Sequence, residues 1–485
     1  MMRSVSVAAR SLAALCLGLS LGACGAEAPP AEAQAEIALI VYGDVVMTMD
    51  VDGTEIANGA VAIDDGAIVA VGTATEIDAK FTAADTLSGE GRVVMPGLVN
   101  GHTHAAMSLL RGIADDLELI EWLERFIFPA EVAVVDEEFV RIGTRLACWE
   151  MIRGGTTSFV DMYYFPDAMA EETLACGLRG VIVPSVIEQK SPDAETGAES
   201  LAQAVDFVRR WRDRDGRIIP AIGAHSVYTL SRPRLEEIQA AAAAEGVPIS
   251  IHVSESTFEI QVTAANHGMT PVELLDEMGY LDLPLIAAHM VYPSESDMAL
   301  LAEHGVGVVH NPTSNMKLAS GVSPVAAMLE AGVRVGIGTD GAASNNDLDM
   351  WEDVRLAALL SKVSTGDPTA LPARQVLDMA TRSGARAIGL GELVGQLVPG
   401  KRADVIQVDV TALDAAPRFD AASHLVYVTD ADDVVTTIVD GQVLMREREI
   451  PGMDAEALRR DVAQWRERII AATGGPAQAA RNESP

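Results

Sequence analysis

Positive charge is scarce in this 485-residue chain. Lys and Arg total 35 against 70 Asp and Glu, a net charge of −35 at neutral pH. A surface of that sign repels phosphate backbones and anionic headgroups, which excludes nucleic-acid binding and charge-driven membrane-surface binding. Only five of the cations are lysine, and only four residues are cysteine. The N-terminal apolar run, residues 12–21, is too short to span a bilayer. What the chain has in quantity is apolar side chain, 49% of residues, ample for a large core. Its length fits one large domain, alone or with a small companion.

Residues 1–24 read as a secretory signal: Arg3 and Arg10 ahead of the short apolar run, then Leu21-Gly-Ala-Cys24. That tetrapeptide resembles a bacterial lipobox, with Cys24 as the acylated residue and Gly25 after it. The expectation is export to the periplasmic face of the envelope, lipid-anchored, at the outer rather than the inner membrane. Residues 25–36, rich in Ala, Glu and Pro, read as a flexible tether. Cys16 leaves with the signal. Cys148 and Cys176 lie beside helical apolar residues and read as buried thiols, with a disulfide left open.

Residues 37–97 and 391–450 are β-rich, with hairpin turns at Asp65-Gly66 and Asp440-Gly441. They predict one small β-sandwich built from both ends. Between them, residues 98–390 alternate strand and helix. Candidate strands are 93–101, 156–162, 180–187, 217–225, 248–254, 284–290, 305–311 and 333–340. Phe139, Ile142, Leu146 and Trp149 mark one helix face, stopped at Gly154-Gly155. Eight such units predict an α/β fold, a (β/α)₈ TIM-type barrel with its active site at the C-terminal strand ends. Residues 451–485 predict a helix over 455–472 and a polar tail.

The polar residues follow the barrel rule. Strand by strand the ends carry His102 and His104, Asp161, Ser185, His225, His252, His289, His310 and Asp340, so six of the nine histidines sit there. In a strand, residues two apart share a side, so His102-x-His104 aims two imidazoles at one point. A metal ion with an open position for water needs three or four N/O ligands; His102, His104, His252 and Asp340 supply them. All-N/O ligands favour Zn²⁺, with Fe²⁺ or Mn²⁺ as alternatives.

This ordered set resembles the amidohydrolase superfamily. Within it the chain looks most like the 5-methylthioadenosine/S-adenosylhomocysteine deaminase branch, kin to triazine hydrolases and guanine deaminases. The resemblance covers about residues 37–450. It is carried by Gly97-Leu-Val-Asn-Gly-His-Thr-His, Leu109-Leu-Arg-Gly-Ile-Ala-Asp-Asp, Glu121-Trp-Leu, Gly155-Thr-Thr, His252-Val-Ser-Glu255, His310-Asn-Pro and Gly338-Thr-Asp-Gly-Ala-Ala-Ser-Asn-Asn-Asp-Leu-Asp349. Many relatives bridge two metals with a carboxylated lysine on the fourth strand. Here that strand ends in His225, which implies one divalent ion.

The resemblance implies hydroxide attack, on water activated by the metal, at an aromatic C–NH₂ carbon with release of ammonia. Asp340 would take the water proton, Glu255 would serve as proton shuttle, and His289 would orient the attacking oxygen. Glu131 resembles the carboxylate that holds ribose hydroxyls, and His225 a substrate-contacting histidine. Trp122 reads as a lid aromatic or as core. His310 and Asn311 read as pocket-shaping or structural, and Asp161 as supporting. Some relatives place an Arg near the end of the third strand, against the nucleoside tail; residues 181–187 contain none. The expected substrate is an aminated purine nucleoside such as methylthioadenosine or S-adenosylhomocysteine. Two other readings stay open: a triazine- or guanine-type hydrolase, and a surface-displayed binding protein that no longer turns over. Self-association into a homo-oligomer is left open as well.

Overall fold

The computed structural model describes residues 34–475. The expected signal and lipobox, most of the expected tether and the last ten residues lie outside them. No helix among the described residues is long and apolar enough to cross a membrane.

The chain opens with β1 (Ala35–Met47), β2 (Glu55–Asp64), β3 (Ala67–Thr73), β4 (Phe81–Leu87) and β5 (Arg92–Pro96). The middle supplies β6 (Leu98–Thr103), β7 (Thr156–Tyr163), β8 (Arg179–Val186), β9 (Ile218–Pro220), β10 (Ile222–Ser226), β11 (Ile249–Val253), β12 (Leu285–His289), β13 (Gly307–His310) and β14 (Arg334–Ile337). The chain returns through β15 (Val405–Asp409), β16 (Val434–Val439) and β17 (Gln442–Arg446), and ends in a helix, Ala455–Thr473.

The two ends form one hydrogen-bonded sheet, β17-β16-β15-β5-β1-β2-β3, with β4 also on β1. The expected sandwich is thus a single sheet folded at β1, which pairs with β4 through Val41 and with β5 from Val45. Its shared core includes Val41, Val61, Ile68, Leu87, Val94, Val405 and Ile438. Both expected hairpin turns form. Asp65 and Gly66 have φ of 48° and 71°, Asp440 and Gly441 of 54° and 76°, the left-handed pair that a tight β-hairpin demands.

The middle closes into a parallel barrel. β14 pairs with β6, and β8 pairs with both β9 and β10, which together form the fourth barrel strand. The fourth strand is interrupted after Pro220, which has no amide N–H for the ladder. β6, β7, β8, β11, β12 and β13 are buried along their whole length, as parallel strands covered on both faces must be.

Two local expectations change. The run 93–101 is two strands, because the chain switches sheets at Gly97: Gly97 N–H donates to Asp404 O and Leu98 N–H to Gly155 O. The helix Glu137–Gly154 stops where expected, and it starts at Asp136, whose side chain caps Phe139 N–H. Its buried face runs through Phe139, as expected, and then Val140, Gly143, Thr144, Ala147, Cys148 and Met151, while Ile142, Leu146 and Trp149 lie on its half-buried flank. Small residues let the middle of the helix approach the barrel closely, so three of the four large side chains expected inward are displaced to the flank. Cys148 and Cys176 are both free thiols.

Candidate active site

At the C-terminal mouth of the barrel four strand ends converge. β6 carries His102 and, just beyond it, His104; β11 carries His252; β12 carries His289; Asp340 lies three residues past β14. The ring centroid of His102 is 4.9 Å from that of His104 and 4.8 Å from that of His252. The approach is close enough that a side chain at Gly338 would have its Cβ 2.7 Å from His102 N, so only glycine fits there.

The hydrogen bonds of the histidines fix which nitrogen is free. His104 Nδ1 donates to Met162 O and His252 Nδ1 to His225 O, each at 2.6 Å. That leaves both Nε2 atoms turned toward one point, 3.3 Å apart. Asp340 Oδ1 stands 3.1 Å from His104 Nε2 and 3.4 Å from His102 Nε2. Neither ring nitrogen of buried His102 has a hydrogen-bond partner. Burial holds His252 well below the usual imidazole range, which keeps its ring neutral and able to ligate. On His104 burial is outweighed by the hydrogen bond and charge of Asp340, which raise it to about 9. Asp340 draws positive charge toward His104, whereas burial lowers His102 to about 4. Lone pairs and a carboxylate oxygen converging in a buried space fit a divalent cation. His102, His104 and His252 can meet at one ion, as can His102, His289 and Asp340.

Asp340 is held from every side. Oδ1 accepts from Gly341 N–H at 2.8 Å, and Oδ2 accepts from Ser314 Oγ at 2.7 Å and Ser344 Oγ at 3.0 Å. Burial raises its pKa, but the His102 and His104 contacts outweigh that and keep it well below the carboxylate range. His289 donates from Nδ1 to Asn315 Oδ1 at 2.9 Å, which turns Nε2 toward Glu255 Oε2, 3.7 Å away. Glu255 is buried, and burial raises its pKa. A carboxyl raised in this way holds a proton more readily, as a shuttle must.

One pocket joins these groups to an apolar wall. Its lining includes His104, His225, His252, Glu255, His289 and Asp340 on the floor. Leu119, Trp122, Leu123, Ile127, Phe128 and Glu131 line the wall. The wall is residues 119–134, a short helix (Leu119–Trp122), a π turn (Leu123–Ile127) and a second helix (Phe128–Val134). Trp122 lines the pocket with an indole N–H that has no partner. Glu131 is buried beside Tyr164, whose hydroxyl lies 3.5 Å from Oε2, and burial pushes its carboxyl up to about 7. His225 lines the pocket 5.9 Å from Phe128, ring to ring, and burial lowers it to about 3. Ser185 also lines it.

Three expected residues serve from outside. His310 is buried and is not among the residues lining the pocket. Asn311 Oδ1 accepts from His289 N–H at 3.3 Å, and Asp161 Oδ1 accepts from Ala105 N–H at 2.8 Å, just past the paired histidines. Both are structural supports. The sequence reading missed Tyr163, Tyr164 and Tyr228 in the pocket, and Ser314, Ser344 and Asn315 behind it. Tyr163 and Tyr164 had a signal, since they follow directly on the expected second strand. None of the five lysines lines the pocket, and Lys190, on the loop after β8, pairs with Glu195 at the surface.

The Amidohydrolase family matches residues 93–444, and the chain belongs to that family. A 5′-deoxyadenosine deaminase of Methanosarcina mazei is 46% identical over 434 residues, which cover 89% of this chain and 98% of that protein. A 5-methylthioadenosine/S-adenosylhomocysteine deaminase of Desulforudis audaxviator is 46% identical over 413 residues, covering 85% and 95%. Among solved structures, an adenosine deaminase from Xanthomonas campestris with bound zinc superposes with a TM-score of 0.88 at 39% identity, covering 90% of this chain and 100% of that one. A triazine hydrolase variant superposes at 0.81 with 25% identity, covering 88% and 99%.

Proposed function

We propose that this enzyme is a metal-dependent hydrolytic deaminase of adenosine-type nucleosides, and that its ion is a single zinc. The observation that carries this reading is one pocket that holds a metal-binding cluster and a separate buried carboxyl. The cluster is His102, His104, His252 and Asp340, with Glu255 and His289 beside them. The carboxyl is Glu131, which lines the same pocket.

A bound zinc supplies Lewis acidity and lowers the pKa of water from ~15.7 to about 7. The chain's own groups do the rest. Asp340 accepts a proton from the attacking water. Glu255 gives a proton to the ring nitrogen next to the amino-bearing carbon, so that charge does not build up on the ring as the C–O bond forms. His289, fixed by Asn315, holds the incoming oxygen in line. The remaining hydroxyl proton returns to Glu255 as the C=O forms, and Asp340 passes the first water proton to the amino group as the C–N bond breaks, giving ammonia and the 6-oxo purine. Glu131 accepts the two ribose hydroxyls, an acceptor role that suits a carboxylate. The apolar wall excludes water around the sugar. No Lys or Arg lines the pocket, so an anionic 5′ tail would be buried without a partner, at a cost that disfavours it. The preferred substrates therefore have a small, uncharged 5′ end, as 5′-deoxyadenosine and methylthioadenosine do.

The test is a release assay with the zinc-loaded protein on adenosine, 5′-deoxyadenosine, methylthioadenosine, S-adenosylhomocysteine, guanine and chlorinated or alkylamino triazines. Ammonia from the uncharged adenosine nucleosides is expected, with S-adenosylhomocysteine slower. Faster release of chloride or alkylamine from triazines would overturn the reading, and no turnover at full zinc occupancy would mark a binding protein. The export reading is supported by the pattern over residues 1–24. Palmitate incorporation should depend on Cys24, and a labelled Cys24→Ala variant would contradict it.

A further inference from the structure

Glu259 is a fully buried carboxylate that none of the steps above uses. It is the third residue of the helix Thr257–His267, whose cap is Ser256. Ser256 Oγ accepts from Glu259 N–H at 3.3 Å, one half of a capping box. In an ordinary box the acid turns back to the amide of the cap residue. Glu76 does so to Thr73 at 2.9 Å, Glu273 to Thr270 at 2.9 Å, and Asp297 to Ser294 at 2.8 Å. Glu259 passes over the Ser256 amide and takes two others. Its Oε1 accepts from Ser254 N–H and its Oε2 from Glu255 N–H, each at 2.9 Å.

Those two amides belong to the corner that presents the proton carrier. Ser254 has φ of 54°, in the left-handed region that a residue with a Cβ disfavours. Its own hydroxyl has no partner to hold the corner. From the far side, Val291 N–H and Tyr292 N–H both donate to Ser254 O at 2.9 Å. These come from the loop after His289, where His289 and Met290 are also left-handed, at 74° and 43°. The strained backbone under Glu255 is thus gripped by Glu259 on one side and by the His289 loop on the other.

We propose that Glu259 is a positioning residue for the reaction: its two-pronged grip on the Ser254 and Glu255 amides keeps the Glu255 carboxylate aimed into the pocket beside His289. The inference rests on Glu255 being the proton carrier. Capping alone would need one oxygen, on the Ser256 amide. The structure shows both oxygens spent on the corner instead.

The experiment is a double-mutant cycle in the zinc-loaded full chain. Glu259→Gln keeps the shape but sets an NH₂ group against one of the two amides. We expect it to lower kcat about 10–100-fold, with KM and zinc content unchanged and faster deuterium exchange of the Ser254 and Glu255 amides. In a Glu255→Gln background the same change should cost less than about twofold more, because it acts only through Glu255. Glu259→Asp, which keeps the carboxyl group and shortens the arm, is the second variant and should show the same non-additivity. Ser256→Ala, which removes the ordinary cap, should lower Tm and leave kcat in place. Equal losses in both backgrounds, or an unchanged kcat with Glu259 altered, would overturn the proposal. Normal turnover by Glu255→Gln would instead show that the reading of Glu255 itself had failed.

Discussion

The floor of the pocket and its wall are built by different means. On the floor the reactive side chains stand at or just past barrel strand ends, and hydrogen bonds set the direction of four of them. Met162 O orients His104, His225 O orients His252, Asn315 orients His289, and two serines hold Asp340. The wall is one excursion of chain, residues 119–134, interrupted by a π turn. Its acid, Glu131, has loose contacts from the Tyr163 and Tyr164 hydroxyls, the latter at 3.5 Å, and the indole N–H of Trp122 has no partner. The floor is preorganised before substrate arrives; the wall supplies shape, apolar cover and polar groups that wait for a partner. Rate should therefore be written in the floor and selectivity in the wall.

Substitutions can break that division. The largest effect is expected from His252→Ala, which removes one of the proposed metal ligands. Losing several kcal/mol of Lewis-acid assistance should lower kcat/KM by at least about 10³-fold, with zinc lost from the protein. An active variant that retains zinc would put the ion elsewhere. Next is Glu255→Gln. Its zinc should stay, and kcat should fall by ~10²–10⁴, the range of one general acid–base group. Near-normal turnover would remove Glu255 as proton carrier.

The wall should respond in KM. Glu131→Gln should raise KM for ribosides about 10–100-fold, the worth of hydrogen bonds to a charged acceptor, with kcat little changed. A fall in kcat at unchanged KM would move Glu131 into the chemistry. The smallest effect is a pH dependence. Burial raises Glu131 to about 7. Ribose hydroxyls donate best to the ionised carboxylate, so binding is weak below that value and strengthens as the proton leaves. KM should fall by roughly tenfold at most between about pH 6 and about pH 8, and the slope should vanish in Glu131→Gln. A flat profile in the parent enzyme would mean that Glu131 stays ionised throughout.

The same division explains what the sequence disclosed. Floor residues announced themselves because each barrel strand places one polar residue at its end, after an apolar run. His102, His104, His252, His289 and Asp340 could be found by that pattern. Their supports could not. Ser314 lies after β13 and Ser344 four residues past Asp340; the pairing of β13 with β14 and the turn after Asp340 bring them to Oδ2, and neither serine belongs to an apolar run that would mark it. Tyr163 and Tyr164 escaped because the second barrel strand runs one residue further than its apolar pattern suggests. The single run over 93–101 concealed a change of sheet at Gly97, since both halves are equally apolar and buried. In the helix Glu137–Gly154, periodicity marked the large residues, whereas close packing turned Gly143 and Ala147 inward. Glu131 and Trp122 were named as candidates, but their side of the pocket depends on the path of 119–134, which has no periodic signal of its own.

The most direct test of the account is a zinc titration of the metal-stripped protein, following ammonia release from 5′-deoxyadenosine. The account predicts activity that rises in proportion to added zinc and levels off at about one ion per chain. A plateau at two ions, or no ammonia at any ratio, would contradict it.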